Sequence, residues 1–440
     1  MTARQVPQLT EPRPSPPLSV TSGRIDSGLE VMAVRRDGAP LVQLRLSVPF
    51  AGDGEAHLAK ARLLAESMLA GTERRGADEL AAALQSLGGE LSARVDPDRL
   101  TISGEALAAG LPDLLGILAE VLTEASYPSD DVVGERNRLV EDVRMSRSQP
   151  SVLAQEALLR RMFGAHPYGR ELPETDQVAM VSPEQVRSLH RDGVVPAGSV
   201  LVLVGDIVPS AAFDQVATTL AAWRPSGTAP RAPEMPPLDP GPTVLVDRPG
   251  SVQSSIRIGG PGLGRAHPDY AALQLANMVF GGYFSSRLVE NIREDKGYTY
   301  SPYSTLHHAS AGSTIRILAD VANEVTAPAL LEIGYELGRV ATLPVRAEEL
   351  ESARQYAIGS LALATATQSG LAGILLQLAT SGLDAEWLQA QPRRLAEVTV
   401  DQILEQSRRF LAPSGMVTVV LGDAIAVEPS MRTLGDVVKG

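Results

Sequence analysis

The chain has no cysteine in 440 residues. Disulfides, zinc fingers, iron–sulfur clusters and thiol nucleophiles are therefore excluded, while the redox compartment is left open. Aromatic residues make up only 4%, so leucine, alanine and valine must fill the cores. Basic residues number 39 against 52 acidic ones, for a net charge of −13. That balance argues against a nucleic-acid partner, whose phosphates need a basic surface. No G-x-S-x-G elbow is present, so a serine hydrolase has no support. The glycine-rich run Gly259–Arg265 lacks the Lys-Ser/Thr of a phosphate loop and reads as a strand-to-helix link. No long apolar run is uninterrupted. The best candidate, Leu361–Leu383, contains Gln368, Ser369, Gly370 and Gln377 and predicts a buried helical pair rather than a membrane span. The first 17 residues, MTARQVPQLTEPRPSPP, are polar and proline-rich and lack the apolar core of a secretory signal, so residues 1–20 read as a disordered tail. The expectation is a cytoplasmic protein that engages neither membrane nor nucleic acid.

Hydrophobic residues reach 44%, and the length suits two or three domains. The chain repeats itself. VSPEQVRSLHRDGVVPAGSVLVLVGD, ending at Asp206, matches VTVDQILEQSRRFLAPSGMVTVVLGD, ending at Asp423, without a gap. Both predict a capped helix, with Ser182 and Thr399 as N-caps, then a turn and an apolar strand. Upstream, the helices after Pro128 and Pro344 repeat at nearly the same offset. A repeat of this length indicates a duplicated domain rather than a solenoid. The proline-dense stretch 224–242 can sustain neither helix nor central strand and reads as a stiff linker. The predicted organisation is therefore a tail (1–20), an N-terminal domain (21–223), the linker (224–242) and a C-terminal domain (243–440). In each domain strands group with long amphipathic helices. This predicts an α+β fold of two homologous sandwiches, each a mainly antiparallel sheet packed with helices.

Three segments carry a resemblance. Residues 59–80, AKARLLAESMLAGTERRGADEL, read as an amphipathic helix that contains Gly71-Thr72. LQSLGGELSARVDPDRLTISGEAL follows. Ala272–Ser304 reads ALQLANMVFGGYFSSRLVENIREDKGYTYSPYS. Together these resemble the pitrilysin/insulinase metallopeptidase family, which includes the mitochondrial processing peptidases, over roughly residues 24–425. That family carries an inverted zinc motif, H-x-x-E-H, upstream of the Gly-Thr. Aligned from Gly71-Thr72, the two histidine positions are Arg62 and Glu66, and the catalytic glutamate position is Ala65. The family's distant glutamate ligand lies seven residues after a supporting glutamate. Here that spacing selects Glu135 and Asp142. A catalytic zinc needs three protein ligands and an open water position, with a carboxylate to take the water's proton. Arg62 is a fixed cation, Ala65 accepts no proton and Asp142 is a shortened ligand. No metal is expected in this chain. His57 has no second histidine nearby, and His307-His308 are adjacent on a strand, so neither supplies a chelating pair.

The second motif is intact. The resemblance implies an arginine and a tyrosine seven residues apart that engage substrate, here Arg293 and Tyr300. Arg293 sits near a helix end with Gly297 as a left-handed cap, and residues 298–304 read as a strand returning Tyr300 to that end. Arginine can orient a peptide carbonyl, and the tyrosine can donate to the oxygen of a tetrahedral intermediate. Arg287 reads as structural. The family's two-chain enzymes pair an H-x-x-E-H chain with one that lacks it but keeps the Arg/Tyr pair, as two halves of a clamshell. The resemblance therefore implies a non-catalytic, substrate-engaging subunit of a heterodimeric zinc metallopeptidase, with zinc in the partner and peptides as substrates. Leader-peptide or presequence processing is among the tasks this suits. The alternative is a proteolytically inactive scaffold or peptide-binding protein.

Overall fold

The computed structural model describes residues 17–52, 54–224 and 228–440. Residues 1–16 of the expected tail lie outside them. The first half contains β1 (Ser19–Arg24), β2 (Glu30–Arg35), β3 (Leu41–Pro49), β4 (Glu90–Val95), β5 (Arg99–Leu107) and β6 (Val200–Gly205). Its helices are α1 (Glu55–Ser67), α2 (Ala77–Ser86), α3 (Leu111–Glu124), α4 (Ser129–Ser148), α5 (Pro150–Phe163), α6 (Thr175–Ala179), α7 (Pro183–Gly193) and α8 (Pro209–Thr219). The second half contains β7 (Thr243–Asp247), β8 (Gln253–Gly262), β9 (Tyr303–Ala309), β10 (Gly312–Ala322), β11 (Val417–Gly422) and β12 (Val437–Lys439). Its helices are α9 (Tyr270–Asn277), α10 (Arg287–Val289), α11 (Thr326–Thr342), α12 (Ala347–Ala364), α13 (Gln368–Ala379), α14 (Ala385–Glu397), α15 (Val400–Phe410) and α16 (Ala424–Met431).

Two six-stranded sheets result, ordered β1-β2-β6-β3-β5-β4 and β12-β7-β11-β8-β10-β9. Five strands correspond one to one between them. The sixth differs: β1 comes from upstream and runs antiparallel to β2, whereas β12 comes from the C-terminus and runs parallel to β7. Ser19 and Val20, assigned to the tail from sequence, open β1 by pairing with Arg35 and Val34. Their polar, edge-strand composition gave no apolar alternation to reveal them. The repeated helices α7 and α15 both start with the expected capping boxes. Ser182 accepts from the Gln185 N–H and Thr399 from the Gln402 N–H, each at 3.3 Å, and each glutamine side chain reaches back.

Each sheet packs its own helices on one face, forming the two main cores. The other faces are covered reciprocally. Leu371, Leu375, Leu376 and Leu378 of α13, from the second half, pack on Val34, Val200, Val202 and Val204 of the first sheet. Leu158, Leu159, Met162 and Phe163 of α5, from the first half, pack with Val417 and Val419 of the second. This is why β6 is buried along its whole length and reads as a continuous apolar run. It also explains Gly259: a Cβ there would lie 2.2 Å from Met162 Sδ. The glycine run continues β8 under α5 before the chain reaches α9, so its role is close packing.

Residues 228–242 form neither helix nor strand. Met235 and Leu238 pack beside α5, and the His166 ring donates to the Pro233 carbonyl at 3.1 Å. Among the described residues no single helix is long and apolar enough to cross a membrane. The pair α12–α13 bends by 110°. Only α13 is the buried member expected from sequence, because the end of α12 leaves Leu363 at 77% exposure.

Candidate functional site

The helix expected over 59–80 is two helices. α1 ends at Ser67 and the chain turns before α2. Gly71 adopts φ +139°, which side chains with a Cβ resist, and Thr72 Oγ1 accepts from the N–H groups of Arg74 and Arg75. Gly76 then caps α2, with Glu79 accepting its N–H at 3.0 Å.

Arg62, Ala65 and Glu66 all lie on α1, and Glu135 and Asp142 lie on α4, close enough to influence Glu66 electrostatically. Ala65 is buried. Glu66 is solvent-exposed as a residue, yet the protein packed around its carboxyl raises its pKa. Arg62 opposes that rise, while Glu135 and Asp142 add to it. Glu135 is paired with Arg138 at 2.9 Å. The Arg62 Nε is buried without a partner. Among the described residues no three His, Asp or Glu side chains form a metal-binding group. The position between α1 and α4 does not fit a zinc ion, because a guanidinium stands near its acids, it has no histidine, and Ala65 carries no proton acceptor. His57, the nearest histidine in sequence, has a ring nitrogen 2.8 Å from the Phe50 carbonyl.

The second candidate site lies on the other half. α10 continues into a π-helical turn, Glu290–Asp295, which carries Arg293. Gly297, at φ +65°, closes it as the sequence suggested, with its N–H donating to the Arg293 carbonyl at 3.1 Å. The strand expected over 298–304 begins only at Tyr303. Tyr300 sits in the irregular segment before it and is 81% exposed. Thr299 holds this segment by donating to the Asp320 carbonyl at 2.7 Å, so pairing with β10 begins late.

The structure brings Arg293 and Tyr300 together. The Arg293 guanidinium lies 4.9 Å from the Tyr300 ring centre and 4.6 Å from that of Phe284, in cation–π range of both. Its Nε is 3.3 Å from Glu294. Arg293 and Tyr300 border an open cavity of about 670 Å³ with Gln253, Tyr298 and Asp320. Tyr298 instead packs partly against the second core. Phe284 and the π-helical turn were not anticipated. An exposed aromatic in a turn has no periodic signature, while π-turns recur at functional sites.

Arg287 anchors the segment. It is buried, and its Nε and Nη2 donate to both Glu349 oxygens at 2.8 and 2.9 Å. Glu349 also accepts the Arg346 N–H at 2.7 Å as the α12 cap. Burial pushes its carboxyl up, but the Arg287 and Arg346 bonds outweigh this and bring it to about 2.

Two duplicated α+β sandwiches, the first with Arg62, Ala65 and Glu66 on α1 and the second with an arginine–tyrosine cleft, are the frame for comparison with known proteins. Residues 53–176 match the family model described as Insulinase (Peptidase family M16), and residues 180–356 that described as Peptidase M16 inactive domain. The chain belongs to the insulinase family, peptidase family M16. It is 24% identical over 363 residues to an uncharacterized zinc protease of Mycobacterium bovis, covering 82% of this chain and 83% of that one. A similar protein of Streptomyces coelicolor is 28% identical over 244 residues, 53% of this chain. That match spans about half of the relative's length (52%). In fold, the chain resembles a peptidase M16 inactive domain from Pseudomonas fluorescens, with TM-score 0.84 and 24% identity. That likeness covers 93% of this chain and 100% of the other. A protease from Helicobacter pylori gives TM-score 0.85 at 17% identity over 92% and 99%.

Proposed function

We propose that this chain is the non-catalytic, substrate-engaging subunit of a cytoplasmic heterodimeric zinc metallopeptidase. The observation that carries the reading is a contrast within one chain. α1 presents Arg62, Ala65 and Glu66 where a zinc site would need two histidines and a base, while Arg293 and Tyr300 stand together at an open cavity. The partner, an H-x-x-E-H homologue, supplies the zinc and the base. Arg293 orients the peptide main chain, and the Tyr300 hydroxyl donates to the oxygen of the tetrahedral intermediate. The substrates are peptides, with leader-peptide or presequence removal as the narrower assignment. The test is reconstitution: no peptidase activity in either chain alone and activity on mixing, with Arg293→Ala and Tyr300→Phe lowering turnover while the heterodimer still forms.

A second reading, an inactive scaffold or peptide-binding protein, draws on the state of Arg293. Its guanidinium is already engaged by Glu294 and two rings. Under that reading, the Arg293 and Tyr300 variants leave any reconstituted turnover unchanged.

A further inference from the structure

A separate cavity of about 210 Å³ lies between the two halves. Arg62 and Arg170 enter its walls from the first half, and Thr314 and Arg316 from β10 of the second. Thr314 and Arg316 are two residues apart on one strand and share a face. His307 and His308 also border it. Burial lowers their pKa values to about 4 and about 3, with Arg316 and Arg265 respectively adding to the effect, so both are neutral at pH 7.

The acids in these walls have other commitments. Asp96 accepts the N–H groups of Asp98 and Arg99 at 2.8 and 2.9 Å. Asp98 accepts from the Tyr168 hydroxyl at 2.7 Å, and from the Ser310 N–H and hydroxyl at 2.8 Å each. Glu171 is exposed and acts on Arg316 only through its charge. By contrast, the Arg62 Nε, the Arg316 Nε and the Thr314 hydroxyl are buried with no partner in the protein. Burial also lowers the Arg316 pKa, against the opposing charge of Glu171. Unsatisfied buried donors on two guanidiniums are costly, and the group that best satisfies them is planar and anionic.

We propose that this cavity binds a carboxylate, held by Arg62 and Arg316 with the Thr314 hydroxyl as an added donor. Three acids in the walls disfavour a dianion such as phosphate, while a monoanion meets the unpartnered Nε groups of Arg62 and Arg316. The volume suits a residue-sized group, either a free small acid or the terminal carboxylate of a peptide. The guanidinium of Arg62 thus serves this chain as an anion contact. This site shares no lining residue with the Arg293–Tyr300 cavity.

The test is calorimetric titration of the full chain with propionate, N-acetyl-dialanine and N-acetyl-dialanine amide. Saturable binding of an acid but not of the amide supports the site. Propionate binding as tightly as the peptide acid assigns a free small acid, and binding of the peptide acid alone assigns a peptide terminus. Arg62→Gln and Arg316→Gln each weaken binding by about tenfold or more, whereas Arg293→Ala leaves it unchanged. Thr314→Val, which keeps the side-chain shape, gives a smaller loss and guards against misfolding in the arginine variants. Amide binding equal to acid binding, no binding at millimolar ligand, or unchanged affinity in a folded Arg62→Gln protein overturns the proposal.

Discussion

Arg287→Ala should loosen the segment that carries Arg293 and destabilise the second half. The guanidinium is buried and makes two bonds to Glu349, whose side chain is 12% exposed. Removing one partner of such a pair costs about 3–5 kcal/mol, because the remaining charge stays buried. Glu349 keeps the Arg346 N–H and lies 3.4 Å from the Arg346 guanidinium, which is solvent-exposed. That residual support places the expected loss near the lower bound, about 3 kcal/mol. Glu349→Gln keeps the shape but strands the buried Arg287 guanidinium, for a cost that is also about 3 kcal/mol. Arg287→Leu combined with Glu349→Leu should recover most of the loss, because neither charge is stranded. Urea unfolding at pH 7 measures this. Each half covers a sheet face of the other, so the transition of the whole chain is followed. Trp223 in the first core and Trp387 beside the α13 cluster between the halves report it by fluorescence. An Arg287→Ala cost below about 1 kcal/mol, or a double variant as weak as the worse single one, refutes the reasoning.

Other outcomes follow from the same structure. Leu375 is fully buried where α13 covers the first sheet, so Leu375→Ala should cost about 2–5 kcal/mol and lower the melting temperature. His190, His307 and His308 have folded pKa values lowered below 6.5, chiefly by burial. Their contribution is therefore present above pH 6.5 and is lost as pH falls toward the folded values of about 4 and about 3 for the β9 pair. Glu349, lowered to about 2, adds a loss between pH 4.5 and 2. Melting temperatures of His308→Gln against the parent should show a shallower acid decline. Combining Arg62→His, Ala65→Glu, Glu66→His and Asp142→Glu should create stoichiometric zinc binding, read by metal analysis after dialysis. Failure of the folded variant to retain zinc contradicts the reading of α1 and α4.

Much of the fold was legible because it was written twice. The Ser182 and Thr399 capping boxes and the two Gly-Asp strand ends mark equivalent elements 217 residues apart, from Asp206 to Asp423. The apolar character of α13 was also plain, but its partner was not. Leu375 meets strands of the other half, and nothing local encodes so distant a contact. The break after Ser67 depends on the φ of Gly71, whose glycine is visible in sequence but whose conformation is not. At the site, the seven-residue spacing of Arg293 and Tyr300 was readable, and the structure sets them 4.9 Å apart. The means by which they meet was hidden. Six π-helical residues have no periodicity distinct from an α-helix, and Thr299 delays the strand through a bond to a main-chain carbonyl. Phe284 against Arg293 is a tertiary contact made by a turn residue, so no pattern announced it.

The central claim is that this chain keeps the substrate half of an active site whose metal half belongs to another chain. The most direct measurement is peptide cleavage by the purified chain, by an H-x-x-E-H homologue from the same organism, and by their mixture. The account predicts negligible activity for each alone and turnover on mixing. In the mixture, Tyr300→Phe should lower kcat by about 10²-fold or more, as loss of one oxyanion donor does, with no change in assembly. Full turnover with Tyr300→Phe and Arg293→Ala, or full activity of the homologue without this chain, would contradict it.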